Sequence, residues 1–168
     1  MSGDYAASVF PESLMASREH PALRYRLVNS HFAVHGGDHP LDATRAVLHF
    51  PAENIVVHAT AQRGSVASAQ AAPEYPVYES TAGGTLCVPT GWIYIRFAKD
   101  ARLQDHASAL EGAGFRIVRT LAYASYAGWV VAATGGIAAS LNGIGRLDAL
   151  PGIEEVAPQM LSQASRKD

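Results

Sequence analysis

Two periodicities take turns along the C-terminal half of the chain. Trp92-Ile93-Tyr94-Ile95-Arg96-Phe97 alternates with period two, the pattern of a strand with one face turned to a core. Leu103, Ala107, Leu110 and Gly114 then recur at helical spacing, and Gly112 and Gly114 close that helix. Phe115-Arg116-Ile117-Val118 restarts an extended run. After a loop around residues 123–128, Trp129-Val130-Val131-Ala132-Ala133 predicts a third strand. Ile137, Leu141 and Ile144 lie one and two turns apart on a second helix that Pro151-Gly152 stops. Residues 153–156 predict a short fourth strand before Pro158. The order β-α-β-β-α-β over residues 90–160 is that of a ferredoxin-like unit, an antiparallel sheet with two helices on one face. Its expected core is Ile93, Ile95, Phe97, Leu110, Leu141, Ile144 and Val156.

The N-terminal half is less regular. Residues 1–20 mix Ser, Ala, Gly and Pro with little periodicity and predict a flexible arm or a loosely docked segment. Residues 23–28 and 32–34 predict two short strands joined near Asn29-Ser30. Asp42 suits the cap of a short helix carrying Ala43, Ala46, Val47 and Phe50, and residues 54–59 predict a further strand. Residues 64–73 predict a loop or linker. Tyr75 to Tyr78 suits one more strand, and Gly83-Gly84 a turn before Leu86-Cys87-Val88. The expected organisation is therefore an arm over 1–20, a small α+β region over 21–88, the ferredoxin-like domain over 89–160 and an extended tail over 161–168.

The ordered pieces of the C-terminal half carry a family resemblance. Leu147-x-x-Leu150-Pro151-Gly152-Ile153-x-x-Val156-x-Pro158 resembles the end of the N-terminal propeptide of subtilisin-like serine proteases, where a helix ends in L-P-G-V and runs into V-x-x-P. Thr90-x-x-Ile93-x-Ile95-x-Phe97 is similar to the first strand of such propeptides, and Ala109-Leu110-x-x-x-Gly114-Phe115 to their helix exit. The likeness covers about the last 75 of 168 residues, with a further similarity at Pro76-Val77-Tyr78-Glu79. It implies a propeptide-like inhibitor or folding chaperone that packs its sheet face on a subtilisin-like protease and lays its C-terminal tail in the active-site cleft. On that reading the contact residues are Trp92, Tyr94 and Arg96 on the sheet, and Met160, Leu161, Ser162, Gln163, Ala164 and Ser165 along the tail. Leu161 would take the hydrophobic pocket and bring Ala164 beside the catalytic serine; Met160 in the pocket is the rival register. The chain reaches Asp168 without a catalytic domain, so a separate target is expected.

Composition narrows the partners. The formal net charge is −2, so neither nucleic acid nor an anionic membrane is expected as a partner. Met1 to Arg18 carries Asp4 and Glu12 and no apolar stretch of the kind an export signal needs. Cys87 stands alone, which excludes an internal disulfide and fits a reducing cytoplasm.

Candidate chemistry is sparse, and no cofactor is expected. His31, His35 and His39 are spaced four apart, a metal-ligand spacing on a helix, but Gly36, Gly37 and Pro40 argue against a helix there. Surface histidines are the alternative. The D-[ST]-G, H-G-T-H and G-T-S-M-A motifs of subtilisin-like catalytic domains are absent, as is a Gly-x-Ser-x-Gly elbow. Cys87 sits in an apolar Leu-Cys-Val run that suits a core side chain better than a nucleophile. Gly143-x-Gly145 lacks the third glycine of a dinucleotide site. The chain reads as a non-enzyme. Its most specific feature is the sheet face opposite Ile93, Ile95 and Phe97, where aromatic residues and arginine suit a protein contact. Coverage of that face by the N-terminal half is the alternative. Two other classes of function stay open, a non-inhibitory interaction module and a small-ligand or metal-binding regulator built on the histidine-rich half.

Overall fold

The structure, a computed structural model, describes residues 10–65 and 73–163. Among them the chain is mixed α+β, with nine strands joined into one sheet network and every pairing antiparallel. In chain order the strands are β1 (Ser13–Met15), β2 (Arg24–His35), β3 (Leu48–Phe50), β4 (Ile55–Ala59), β5 (Glu74–Ser80), β6 (Leu86–Phe97), β7 (Phe115–Leu121), β8 (Ala124–Ala132) and β9 (Ile153–Leu161). The α-helices are α1 (Ala107–Gly112), α2 (Gly136–Asn142) and α3 (Ile144–Asp148). The sheet runs β3-β4-β2-β5-β6-β8-β7, with β1 on β2 and β9 on β6. No helix is long and apolar enough to cross a membrane among the described residues.

Strand β6 ties the two halves together. Its first residues pair with β5 (Tyr78↔Cys87, Glu79↔Leu86) and its last with β8 (Ile93↔Val130 to Arg96↔Ala127). Between them Thr90 and Gly91 form a bulge against β9, where the pairing jumps from Pro89↔Met160 to Ile93↔Pro158. A bulge adds unpaired residues to one strand and bends it, which lets one strand serve two differently oriented sheets. Gly91 has φ +90, a conformation that costs an L side chain, and a Cβ there would press on Ile137 of α2. The Thr90 hydroxyl bridges the bulge to the Gln159 side chain at 2.7 Å. The boundary expected between residues 88 and 89 thus falls inside a continuous strand.

Beyond the bulge the elements run β6-α1-β7-β8-α2-α3-β9, with two helices where one was expected before the last strand, and the strands lie side by side as β9-β6-β8-β7. Ile93, Ile95, Phe97, Leu110, Leu141 and Val156 are all buried, together with Leu103, Phe115, Val130, Leu147 and Ile153. Ile144 is only partly buried. The first helix is shorter than its periodicity suggests, since Leu103–His106 is a 3-10 turn stacked on the sheet through His106 and Phe97, 3.8 Å apart. The second helix is broken at Gly143, where a Cβ would lie 2.7 Å from the Phe115 ring, so close packing of the helix on β7 requires glycine.

Several expectations fail at element ends. The loop placed at residues 123–128 is mostly strand: β7 and β8 form a tight hairpin at Leu121↔Ala124. Strand β9 does not stop at Pro158 but continues to Leu161. Its described pairing is with β6 alone, and such an edge position tolerates a residue without an N–H. Residues 24–34 fall in one bulged strand rather than two, because β5 pairs with β2 on both sides of the bulge, at Tyr25–Val28 and at Phe32–Val34. No helix forms at Asp42; its carboxylate instead accepts the Thr44 N–H at 2.9 Å in a local turn, and Phe50 belongs to β3. Residues 13–15, expected within the flexible arm, form β1. Leu14 and Ala16 are buried there, and the Tyr78 hydroxyl donates to the Pro11 carbonyl at 2.6 Å.

Candidate protein-binding face

Alternation along β6 sends Ile93, Ile95 and Phe97 to the helices and leaves Trp92, Tyr94 and Arg96 on the other face, each partly exposed. The neighbouring strand supplies a further aromatic. Trp129 of β8 is the register partner of Tyr94, so the two side chains share a face. Its ring lies 5.6 Å from Tyr94 and 6.1 Å from Trp92. Both tryptophans of the chain therefore sit in one cluster with Tyr94. Burial pushes the Tyr94 phenol up from its ordinary value, and the Arg96 charge beside it partly offsets this.

At the end of the cluster the face becomes charged. Arg96 reaches Glu19 at 3.0 Å and Glu154 at 3.8 Å. Glu155, the register partner of Arg96, is almost fully buried, and its Oε1 accepts the backbone N–H of Arg18 at 2.8 Å and its neighbour Val156 N–H at 3.0 Å. Glu154 and Glu155 can both turn toward this corner because the β6–β9 register slips between Arg96 and Phe97.

The tail residues are placed differently from one another. Met160 and Leu161 are strand residues, paired with Pro89 and Val88, and each packs partly buried against a core cluster. Ser162 and Gln163 are exposed, and the Gln163 side-chain amide donates to the His49 carbonyl at 3.2 Å. Ala164 and Ser165 lie outside the described residues. The structure thus groups Trp92, Tyr94 and Arg96 on one face and holds Met160 and Leu161 in the sheet. Neither of these two is free to enter a cleft while β9 keeps its register.

Trp129, Arg18, Glu19 and Glu155 complete the face and were not singled out from the sequence. Trp129 was legible in principle, since the predicted strand order places its strand beside β6. Nothing local marks Arg18 and Glu19, whose partners lie about 80 to 140 positions away.

The other candidate groups are scattered. Cys87 is buried, and burial pushes its thiol up, away from the thiolate a nucleophile requires. The His35 ring lies tilted against Tyr75, centroids 4.2 Å apart, with no hydrogen-bond partner for Nε2, and burial lowers its pKa to about 4. His58 is buried beside Phe32, on the opposite face of the sheet from His35. No group of His, Cys, Asp and Glu able to hold a metal ion occurs among the described residues.

Comparison with protein-family models, with curated proteins and with solved structures found no match.

Proposed function

We propose that this protein is a non-enzymatic, propeptide-like inhibitor or folding partner of a subtilisin-like serine protease, docking through the outer face of a ferredoxin-like unit. The observation that carries the reading is the Trp92–Tyr94–Trp129 cluster with Arg96 at its edge, on a sheet whose other face bears the helices. Aromatic anchors with arginine dominate the energetics of protein contacts. The strand order β9-β6-β8-β7 supports the ferredoxin-like topology, and the propeptide resemblance lies in the same residues. A cytoplasmic site of action is part of the same proposal.

The test is titration calorimetry and inhibition kinetics against a subtilisin-type protease. Trp92→Ala or Tyr94→Ala should weaken binding more than about thirtyfold, the effect of losing an anchor worth ~2 kcal/mol, while the thermal melt stays near wild type. Absence of binding by the wild-type chain overturns the reading.

A second reading is favoured by the placement of Met160 and Leu161 in β9. A chain that keeps these residues in its own sheet would bind by the face alone and leave the protease cleft open. Deletion of residues 164–168 separates the two. A rise of a decade or more in the inhibition constant on deletion supports tail insertion, whereas binding of both forms without inhibition by either supports a non-inhibitory contact through the sheet.

A further inference from the structure

The hairpin joining β1 and β2 has an unusually placed tip. Its base is closed by the Ala16 N–H donating to the Leu23 carbonyl at 2.9 Å, so the residues between form an excursion from an intact hairpin. That excursion crosses to the far end of the chain. Arg18 donates through Nε to the Asp148 carboxylate at 2.7 Å, and through its two terminal nitrogens to the carbonyls of Ile153 at 2.8 Å and Asp148 at 2.9 Å. Its backbone N–H caps the buried Glu155 carboxylate, and Glu19 pairs with Arg96. Arg96 and Glu155 are register partners on the outer face, so the tip lies over the charged corner of that face.

We propose that residues 17–20 are a strap that occupies this corner in cis and that a partner displaces on docking. The inference rests on the reading of the outer face as a protein-binding surface. Two features make the strap removable. Its charged anchors, Arg18–Asp148 and Glu19–Arg96, are exposed ion pairs of a kind that water and salt weaken, and the two Arg18 bonds to backbone carbonyls can be replaced by bonds to water once the tip lifts. Its base is closed by a backbone bond independent of them, so lifting the tip leaves the β1–β2 pairing in place. The strap thus sets a threshold: a partner must offer its own cover for Glu155 and its own counter-charge for Arg96.

The experiment compares wild type, Arg18→Ala, Glu19→Ala and the double variant by calorimetry against an active-site-blocked subtilisin-type protease, at low and moderate salt. Thermal melts identify the folded variants, and Glu19→Ala, which touches only an exposed ion pair, serves if loss of Arg18 unfolds the chain. The folded variants should bind several-fold tighter, up to about tenfold for the double variant, and their advantage should shrink as salt rises. Equal or weaker binding by the folded variants, with wild type binding, overturns the strap alone. Absence of binding by every form overturns the reading of the face, and the strap falls with it.

Discussion

Single side chains in the helix-covered core should report its energetics directly. Leu141 is buried in the main cluster, and Leu141→Ala should cost roughly 2–5 kcal/mol in a denaturant melt. Ile144, one turn on, is only partly buried, so its truncation should cost less. The alternating residues of β6 were legible because period two is a strong local signal, and the faces they take follow from it. Helical spacing alone puts Ile144 in the core, but the helix breaks at Gly143 and Ile144 ends only partly buried. His35 offers a pH test. Its pKa is lowered from 6.5 to about 4 because burial desolvates the ring. Above pH 6.5 folded and unfolded chains both carry a neutral imidazole. As pH falls from 6.5 toward 4 the unfolded chain binds the proton first, so stability drops through that window by on the order of 1–3 kcal/mol and then levels off. His35→Gln should flatten that part of the stability–pH curve. A wild-type curve with no slope there would show that the ring is solvated.

At the scale of elements, the helices are the weak parts and the strands the strong ones. The α2–α3 segment contains Gly143 and Gly145, each costing about 1 kcal/mol against alanine. It is held instead by burial of Leu141 and Leu147 and by the Ser140 hydroxyl, which accepts the Ala132 N–H at 3.0 Å. An isolated peptide of residues 136–150 should therefore give a mostly unfolded circular dichroism spectrum; strong helicity would contradict this. Gly143→Ala should destabilise the protein although it raises helix propensity, because its methyl group meets the Phe115 ring. Element order in the C-terminal half was readable from the two periodicities. Element ends were not, because partners far along the chain set them. Strand β9 outruns Pro158 since β6 continues to pair with it as far as Val88, and β2 is one strand since β5 pairs with it on both sides of the bulge between Val28 and Phe32. At Asp42 a local side-chain turn, which the same residue type favours, replaces the expected helix.

Across the whole molecule the two halves share a core. Leu14, Tyr78 and Cys87 from the N-terminal half belong to the same buried cluster as Ile93 and Phe115. A single cooperative melt is expected, and a fragment of residues 89–163 should be markedly less stable than the full chain, having lost β5 and those side chains. Two separate transitions in the intact protein would contradict the shared core. The sequence marked the outer face but not what crosses it, because contacts such as Glu19–Arg96 leave no periodic trace. The position of Pro158 also has a consequence for the protein at high concentration. Strand β9 has one described pairing, and an open strand edge is a template on which another chain can add and propagate. Proline supplies no amide hydrogen there, so it interrupts any continuous ladder along that edge. Pro158→Val should leave the monomer folded yet make it prone to self-association into β-rich aggregates, visible as concentration-dependent light scattering and thioflavin binding. In that sense the residue that failed to end the strand is the one that keeps the strand from continuing into a neighbour.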